Sequence, residues 1–162
     1  MMGVGKSTIG KIIAKKLNHQ FVDIDNLIEI KEKSTIKHIF KNKGEEYFRR
    51  IEKKITTQEL KKNNLVIALG GGGFIDDLIR KEIKSSCVSF WLDLNLSTLI
   101  MRLKNNRNRP LLDKDNLEYS INKIYSQRKK IYNESDYKIK CNSMTKNQIV
   151  GKIVKLYEAS RN

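Results

Sequence analysis

The chain has 162 residues, which suits one domain built around one core. Apolar residues make up 39% of it and recur at regular spacing, which excludes an intrinsically disordered chain, and no apolar run is long enough to predict a membrane span. The net charge of +15 would suit a nucleic-acid partner, but the lysines are scattered without a compact basic tract, which favours solvated helix faces. Two cysteines without metal-ligand spacing favour a reduced, cytoplasmic setting.

The segment from Gly3 to Thr8 has the glycines, lysine and hydroxyls of a phosphate-binding loop that runs into a helix. Glycines let backbone N–H groups approach phosphate oxygens, and a helix N terminus adds further donors and a favourable dipole. In the pattern G-x-x-x-x-G-K-S/T, Lys6 reaches the β and γ phosphates and Ser7 is a Mg²⁺ ligand. A disordered Gly/Lys-rich N terminus is the alternative, but one apolar face predicts a helix from Ser7 to Leu17.

Residues 21–25 form a short apolar strand that ends in two carboxylates, Asp23 and Asp25. Ligands of open α/β sheets bind at the carboxyl ends of strands, and residues two apart on an extended chain point to the same side. The alternative is that Asp25 caps the next helix, residues 26–32, while Asp23 pairs with a lysine. Beside a phosphate loop, a functional site is favoured.

A long helix that opens at Gly44 carries Arg49 next to its apolar stripe. An arginine in this position can bind a carboxylate through two parallel hydrogen bonds. The alternative is an ordinary salt bridge to Glu45, Glu46 or Glu52, and periodicity alone favours that alternative.

Four consecutive glycines, residues 70–73, follow the apolar strand predicted at residues 65–69. A turn needs one or two glycines, so the surplus favours a backbone that approaches a bound ligand over a flexible turn. The remaining patterns predict helices at 34–40, 77–84, 96–103, 117–133 and 145–159, and strands at 87–92 and 137–141.

Residues 105–116 are polar and basic and contain the only proline, which predicts a mobile flap. Basic flaps over phosphate sites supply charge to the transition state and exclude water. A solvated linker is the alternative for this segment.

Taken together, the motifs resemble bacterial shikimate kinase. They are the phosphate loop, the Asp-x-Asp, Phe-Arg-Arg-x-Glu, the triple glycine, the Arg-Pro-Leu-Leu flap and the late Arg before a Tyr. The resemblance spans essentially all 162 residues and implies one domain with the three-layer αβα P-loop kinase fold and a parallel sheet. It also implies ATP-dependent phosphorylation of the 3-hydroxyl of shikimate, with Mg²⁺ as cofactor, in aromatic amino acid biosynthesis. We further expect a cytoplasmic monomer with no nucleic-acid or membrane partner.

The resemblance implies a role for each motif residue. Lys6 would bind the ATP phosphates, while Ser7 and Asp23 would hold Mg²⁺ directly or through water. Asp25 would receive the shikimate hydroxyls and act as the base or orienter for the attacked one. The other implied contacts are Gly3, Val4, Gly5 and Thr8 with the nucleotide phosphates, Arg49 and Arg128 with the shikimate carboxylate, Gly71 and Gly72 with its ring, Arg109 with the transferring phosphate, and Arg102 with adenine.

The sequence departs from this family at its start, because the pattern asks for another glycine before Gly5 and for a strand before the loop. In the family that strand lies in the middle of a five-stranded sheet, so four strands remain here. We therefore expect that the sequence begins at an internal Met and that roughly ten residues precede it. An intact mass of 18.9 kDa for the protein from its native host would contradict this expectation. Gly73, where the family usually has a small non-glycine residue, is a milder departure.

Three rival functions are weaker. Another P-loop small-molecule or nucleoside monophosphate kinase would share the loop and flap but not the full set of motifs. A basic nucleic-acid-binding protein would bind DNA or RNA with strong salt dependence. The third is an inactive, truncated fragment.

Overall fold

The computed structural model describes residues 1–104, 112 and 116–161. Most of the predicted flap, including Arg109, lies outside the described residues. Helices alternate with short strands along the chain, which confirms the α/β class. In order, the elements are α1 (Lys6–Leu17), β1 (Gln20–Asp23), α2 (Ile24–Glu32), α3 (Ile36–Leu60), β2 (Leu65–Ala68), a 3₁₀ turn (Gly73–Ile75), α4 (Asp77–Ser86), β3 (Phe90–Asp93), α5 (Leu96–Leu103), α6 (Leu117–Tyr132), β4 (Tyr137–Lys140) and α7 (Lys146–Ala159).

The strands pair into two parallel half-sheets. β1 pairs with β2 from Gln20 opposite Leu65 to Asp23 opposite Ala68. β3 pairs with β4 over their full length in the same way. Within the described residues no ladder joins β2 to β3, so each of these two strands has one unpaired edge.

An apolar cavity of about 260 Å³ separates the half-sheets, and we call it the central groove. Residues 65–70 line one side and residues 87–92 line the other, while Ile9 and Ile13 of α1 and Ile153 of α7 contribute from the helices. The groove is therefore bounded by both inner strands and by the helices that cover them.

Two apolar clusters form the core. The larger one joins residues of α1, α4, α5, α6 and α7 to β3 and β4. The smaller one contains Ile24, Ile28, Ile39, Phe48 and Ile55, and it fixes α2 and α3 against the first half-sheet. This second cluster holds the helices that carry much of the polar cleft described below. No helix in the described part of the chain is both long and apolar enough to cross a bilayer.

The first strand ends earlier than predicted. β1 stops at Asp23, and the carboxylate of this residue accepts a hydrogen bond from the backbone N–H of Asn26. Because Asp23 caps the helix, α2 begins at Ile24 and Asp25 lies in its first turn. The prediction of two carboxylates on one extended strand was therefore wrong, and so was the alternative in which Asp25 is the cap.

The short helix and the long helix predicted on either side of Gly44 run together as α3. The backbone is not helical at Gly44, where φ is 79° and ψ is 171°, and α3 is kinked there. That φ lies in the left-handed region, which glycine adopts without the strain that a Cβ would cause. The helix begins after Thr35, whose hydroxyl accepts from the N–H of His38.

Candidate active site

A polar cleft of about 530 Å³ opens where the first loop, the start of α2, the helix α3, the glycine segment and α6 meet. It contains the acidic, basic and glycine residues that the sequence singled out from four separate segments. The predicted site residues that line it are Ser7, Asp23, Asp25, Arg49, Gly71, Gly72 and Arg128.

The first loop has the backbone that a phosphate-binding loop requires. Gly3 and Gly5 have φ of +73° and +90°, in the region that favours glycine. At Gly5 the conformation alone is decisive, because an added Cβ would meet nothing within 4 Å. α1 starts at Lys6 without a side-chain cap and without an acidic residue in its first turn. The N–H groups of this turn are thus suited to an anion.

Lys6 is the first residue of the same helix. Its ammonium donates a hydrogen bond of 2.8 Å to the backbone carbonyl of Met1. This contact folds the lysine back towards the start of the chain, and the side chain borders the central groove.

Ser7 and Asp23 bring two hard oxygen donors together. The Ser7 hydroxyl donates to the Asp23 carboxylate, which joins the phosphate loop to the end of β1. Mg²⁺ is usually held by one or two carboxylates and completed by phosphates and water, and this pair fits that chemistry. The described residues contain no group of three or more His, Cys, Asp and Glu that could hold a metal ion, so phosphates and water would have to complete the site.

Asp25 and Glu52 converge beside Gly70. An added Cβ at Gly70 would lie 2.6 Å from Asp25 Oδ1 and would also overlap Glu52 Oε1, so both carboxylates lie against this glycine. Glu52 is only 3% exposed, and its Oε1 has no hydrogen-bond partner among the described residues. Burial raises the pKa of Glu52, and the charge of Asp25 adds to the rise against the opposing effect of Arg49.

Arg49 is anchored by two carboxylates of its own helix. Its Nη1 donates to Glu52 at 2.6 Å, while Nε and Nη2 donate to Glu45 at 3.1 and 2.9 Å. Burial acts against the charge, but the two glutamates raise the pKa of the guanidinium overall. The salt bridge predicted as the alternative is therefore present. It does not take Arg49 out of the cleft, because the paired guanidinium still lies at the cleft wall.

The carbonyl oxygen of Gly71 holds two side chains of α6 in place. It accepts a hydrogen bond of 2.7 Å from Arg128 Nη1 and another from the hydroxyl of Tyr132. Tyr132 is 5% exposed and packs on Trp91 with ring centroids 5.8 Å apart. The sequence marked this tyrosine only as part of a motif, and its spacing of one helical turn from Arg128 was the available signal.

Three comparisons place this geometry among known proteins. A family model described as shikimate kinase matches residues 2–158. The shikimate kinase of Persephonella marina is 42% identical over 94% of this chain and 92% of that protein, and the one from a Sulfurihydrogenibium strain is 43% identical over 94% and 91%. A solved structure of shikimate kinase from Acinetobacter baumannii in complex with shikimate has a TM-score of 0.93 at 31% identity, covering 98% of this chain and 89% of that one.

The chain belongs to the shikimate kinase family. This confirms both the resemblance inferred from the motifs and the P-loop kinase fold. The roles of single residues stay predictions. Within the described residues, Arg102 is exposed in the last turn of α5, and it does not line the cleft that holds the other predicted contacts.

Glu52 gives this shikimate kinase family member a testable pH signature. Because its folded pKa is raised above the ordinary value of 4.5, Glu52 contributes stability that is present below about pH 4.5 and lost as pH rises through the folded pKa. In the Glu52→Gln variant this loss disappears, so the free energy of unfolding of the variant should improve relative to the parent as pH increases. Urea denaturation at pH 4, 5.5 and 7 measures the difference.

Glu46→Gln is the matched control for this measurement, since Glu46 is an exposed residue of the same helix. We expect its difference from the parent to be much flatter with pH. If the difference in unfolding free energy from the parent changed equally with pH in the two variants, the assigned effect of burial on Glu52 would be contradicted.

Tyr132→Phe tests the hydrogen bond from the Tyr132 hydroxyl to the carbonyl of Gly71. The change keeps the packed ring but removes the hydroxyl that donates to Gly71, so the carbonyl that positions Arg128 becomes less constrained. We expect the KM for shikimate to rise by about three- to tenfold, corresponding to one lost hydrogen bond, with kcat little changed. Steady-state kinetics with saturating ATP measures both constants.

Tyr125→Phe provides the comparison, because this tyrosine lies on the same helix and donates to Asp93 at 3.0 Å instead. Tyr125→Phe also removes one hydrogen bond, so its stability should fall about as much as that of Tyr132→Phe. The KM for shikimate should not change. A KM increase in both variants would indicate a general effect of loosening α6.

Proposed function

We propose that this chain transfers the γ-phosphoryl group of ATP to the 3-hydroxyl of shikimate, giving shikimate 3-phosphate and ADP in the biosynthesis of aromatic amino acids. The observation that carries the proposal is the single cleft in which Asp25, Arg49 and Arg128 lie beside Ser7 of the phosphate loop. A small anionic polyol and a nucleotide phosphate are the two ligands that such a combination suits.

The arginines would bind the shikimate carboxylate. Arg49 comes from α3 and Arg128 from α6, and both are held by partners that leave them at the cleft wall. Gly71 and Gly72 have no side chains, so the ring of the substrate can approach their backbone. Asp25, in the first turn of α2, would accept hydrogen bonds from the hydroxyls and orient the attacking one.

The nucleotide would be held by the first loop. Lys6 and the N–H groups at the start of α1 would bind its phosphates, with Gly3, Val4, Gly5 and Thr8 shaping the loop. Ser7 and Asp23 would hold Mg²⁺, which when bound neutralises charge on the phosphate oxygens. We assign Arg102 to adenine. Arg109, outside the described residues, is assigned to the transferring phosphate on the family resemblance alone.

In the transfer, the 3-oxygen of shikimate forms a bond to the γ-phosphorus while the bond from that phosphorus to the ADP oxygen breaks. The hydroxyl proton passes to Asp25 or, through it, to water. Positioning and charge neutralisation supply most of the catalysis for this class of reaction.

The decisive assay is ADP release with ATP and Mg²⁺, with and without shikimate, combined with phosphorus NMR of the product. We expect ADP formation that depends on shikimate and one new phosphate-ester resonance. The analogue that lacks the 3-hydroxyl should bind but give no ester. Turnover that is equal with and without shikimate, from folded protein, would overturn the proposal.

We also propose that the protein works as a cytoplasmic monomer on small molecules. Sedimentation velocity should give a mass near 18.9 kDa, and a dimer would contradict the monomer. Tight, salt-dependent binding to a DNA or RNA duplex would instead favour a nucleic-acid partner.

A further inference from the structure

Arg80 of α4 is a largely buried cation that the proposed reaction does not use. Its side chain is 14% exposed, and its Nη1 donates to the backbone carbonyls of Phe74 and Ile75, both at 3.1 Å. Its Nε lies 3.3 Å from Oε2 of Glu134, in the segment that follows α6. Arginine suits such a place, because its planar guanidinium donates to several acceptors in fixed directions. Arg80 therefore connects the 3₁₀ turn to the end of α6.

On one side, this connection reaches the glycine segment. Arg80 holds the carbonyls of Phe74 and Ile75 in the 3₁₀ turn, and the N–H of Ile75 donates to the carbonyl of Gly72 at 2.9 Å. A shift of the backbone at Gly72 therefore disturbs the turn and the bonds that Arg80 makes to it.

On the other side, the connection reaches α6 through Glu134. The backbone N–H of Glu134 donates to a carbonyl in the last turn of α6 at 3.0 Å, two residues after Tyr132. Lys84 also pairs with this carboxylate, at 2.7 Å. The hydrogen bond from Lys84 and the charge of Arg80 hold the pKa of Glu134 below its usual range, so the carboxylate is ionised at neutral pH. An ion pair thus joins Arg80 to the end of the helix that carries Arg128.

Both arginines of the cleft contact the glycine segment. Arg128 donates to the carbonyl of Gly71 at 2.7 Å, and the guanidinium of Arg49 lies so close to Gly72 that an added Cβ would overlap it. A displacement of this backbone would change where the two guanidinium groups meet a bound carboxylate. Paired, directional hydrogen bonds of this kind are sensitive to small displacements.

We propose that Arg80 is a positioning residue for the carboxylate of shikimate. By fixing the 3₁₀ turn to the end of α6, it keeps Gly71 and Gly72 where Arg49 and Arg128 can bind the substrate together. The inference rests on the proposed function, because it concerns how that substrate is held. Arg80 lies outside the described lining of the cleft, so its effect should appear in shikimate affinity and not in ATP affinity or phosphoryl transfer.

Arg80→Met tests the inference, because methionine keeps an unbranched apolar side chain but removes the donors and the charge. We expect the KM and the calorimetric Kd for shikimate to rise by about tenfold, while kcat and the KM for ATP stay within about twofold. Arg80→Lys keeps the charge without the planar set of donors, so its shikimate affinity should lie between those of the parent and Arg80→Met. All constants are measured well below the Tm of each variant.

Glu134→Ala breaks the same connection at its more exposed end, where the side chain is 40% exposed. It should raise the Kd for shikimate by about three- to tenfold. The double variant with Arg80→Met should bind shikimate about as weakly as Arg80→Met alone, because both changes remove one connection. Asp77→Asn is the matched control, since it removes a partner of Arg80 whose side chain is 77% exposed, and it should leave the Kd near that of the parent.

Unchanged shikimate affinity in Arg80→Met and Glu134→Ala would overturn the inference. Equal weakening of shikimate and ATP, or effects that multiply in the double variant, would also overturn it, because either result indicates a merely structural role. If Arg80→Met does not fold, Arg80→Lys and Glu134→Ala decide by the same criterion. A folded parent without turnover that depends on shikimate would refute the proposed function and this inference with it, whereas an active parent with unaffected variants refutes the inference alone.

Discussion

Asp25→Asn should lower kcat for shikimate-dependent ADP formation by about 10²- to 10⁴-fold, the range typical of a lost proton acceptor. The amide nearly keeps the size of the carboxylate but cannot take the proton of the attacking hydroxyl. It also removes a negative charge that lies against Gly70 beside Glu52. Steady-state kinetics over a range of shikimate concentrations, with ATP saturating, measures the loss.

Nucleotide binding should survive this substitution, because the first loop and the contact between Ser7 and Asp23 are untouched. Asp77→Asn is the matched control, an exposed aspartate in the first turn of α4 that pairs with Arg80. It should leave kcat within about twofold. Retention of more than about a tenth of the parental kcat by Asp25→Asn would remove Asp25 from the proton path.

Gly72→Ala should raise the KM for shikimate by about 10- to 100-fold, the loss expected for a displaced charged hydrogen-bonding group. The backbone of Gly72 has φ of −97°, which alanine adopts freely, so the substitution does not strain the backbone itself. The new methyl group would instead overlap the guanidinium of Arg49, lying 2.6 Å from its Cζ. Since Arg49 is paired with Glu45 and Glu52, a displacement of its guanidinium disturbs those ion pairs.

Gly73→Ala is the control at the next residue. There an added Cβ would meet its nearest neighbour, Leu69, at 3.5 Å, which is an ordinary contact. We expect KM, kcat and Tm close to the parent for this variant. A similar KM for the two alanine variants would show that Arg49 is not held in the position that binds the substrate.

The same pair of glycines illustrates what the sequence could predict. A run of four glycines indicated close approach of a ligand, but it could not say which position needs to lack a side chain. The structure separates them, because Gly72 faces the arginine and Gly73 begins a 3₁₀ turn with room for a methyl group. This also explains why the departure from the family pattern at Gly73 is mild.

Asp23 and Asp25 mark the limit of pattern reasoning at an element boundary. Their position after an apolar strand correctly brought both to the cleft. The expected alternation of side chains along a strand then failed. Asp23 caps the helix, so α2 begins at the next residue, Ile24, and Asp25 lies in the helix instead of the strand. Local hydrogen bonding at a helix N terminus outweighed the extended conformation that the apolar run suggested.

The sequence singled out Glu52 as a salt-bridge partner and as the glutamate of the Phe-Arg-Arg-x-Glu motif. It could not predict the burial of Glu52 or its proximity to Asp25, because both depend on how α3 packs against the glycine segment. Long-range packing of this kind leaves no local pattern. The spacing of three residues between Arg49 and Glu52 was visible in the sequence. The buried carboxylate oxygen of Glu52, which no described residue hydrogen-bonds, was not.

The kink in α3 divides the walls of the cleft between two helical segments. Thr35, Ile36 and Phe40 line the cleft from before Gly44, while Arg49 and Glu52 line it from after. A sharp helix kink has a local cause, and here it is the non-helical backbone of a glycine. The direction of the segment after Gly44 therefore decides where the guanidinium of Arg49 and its two glutamates face the opposite wall.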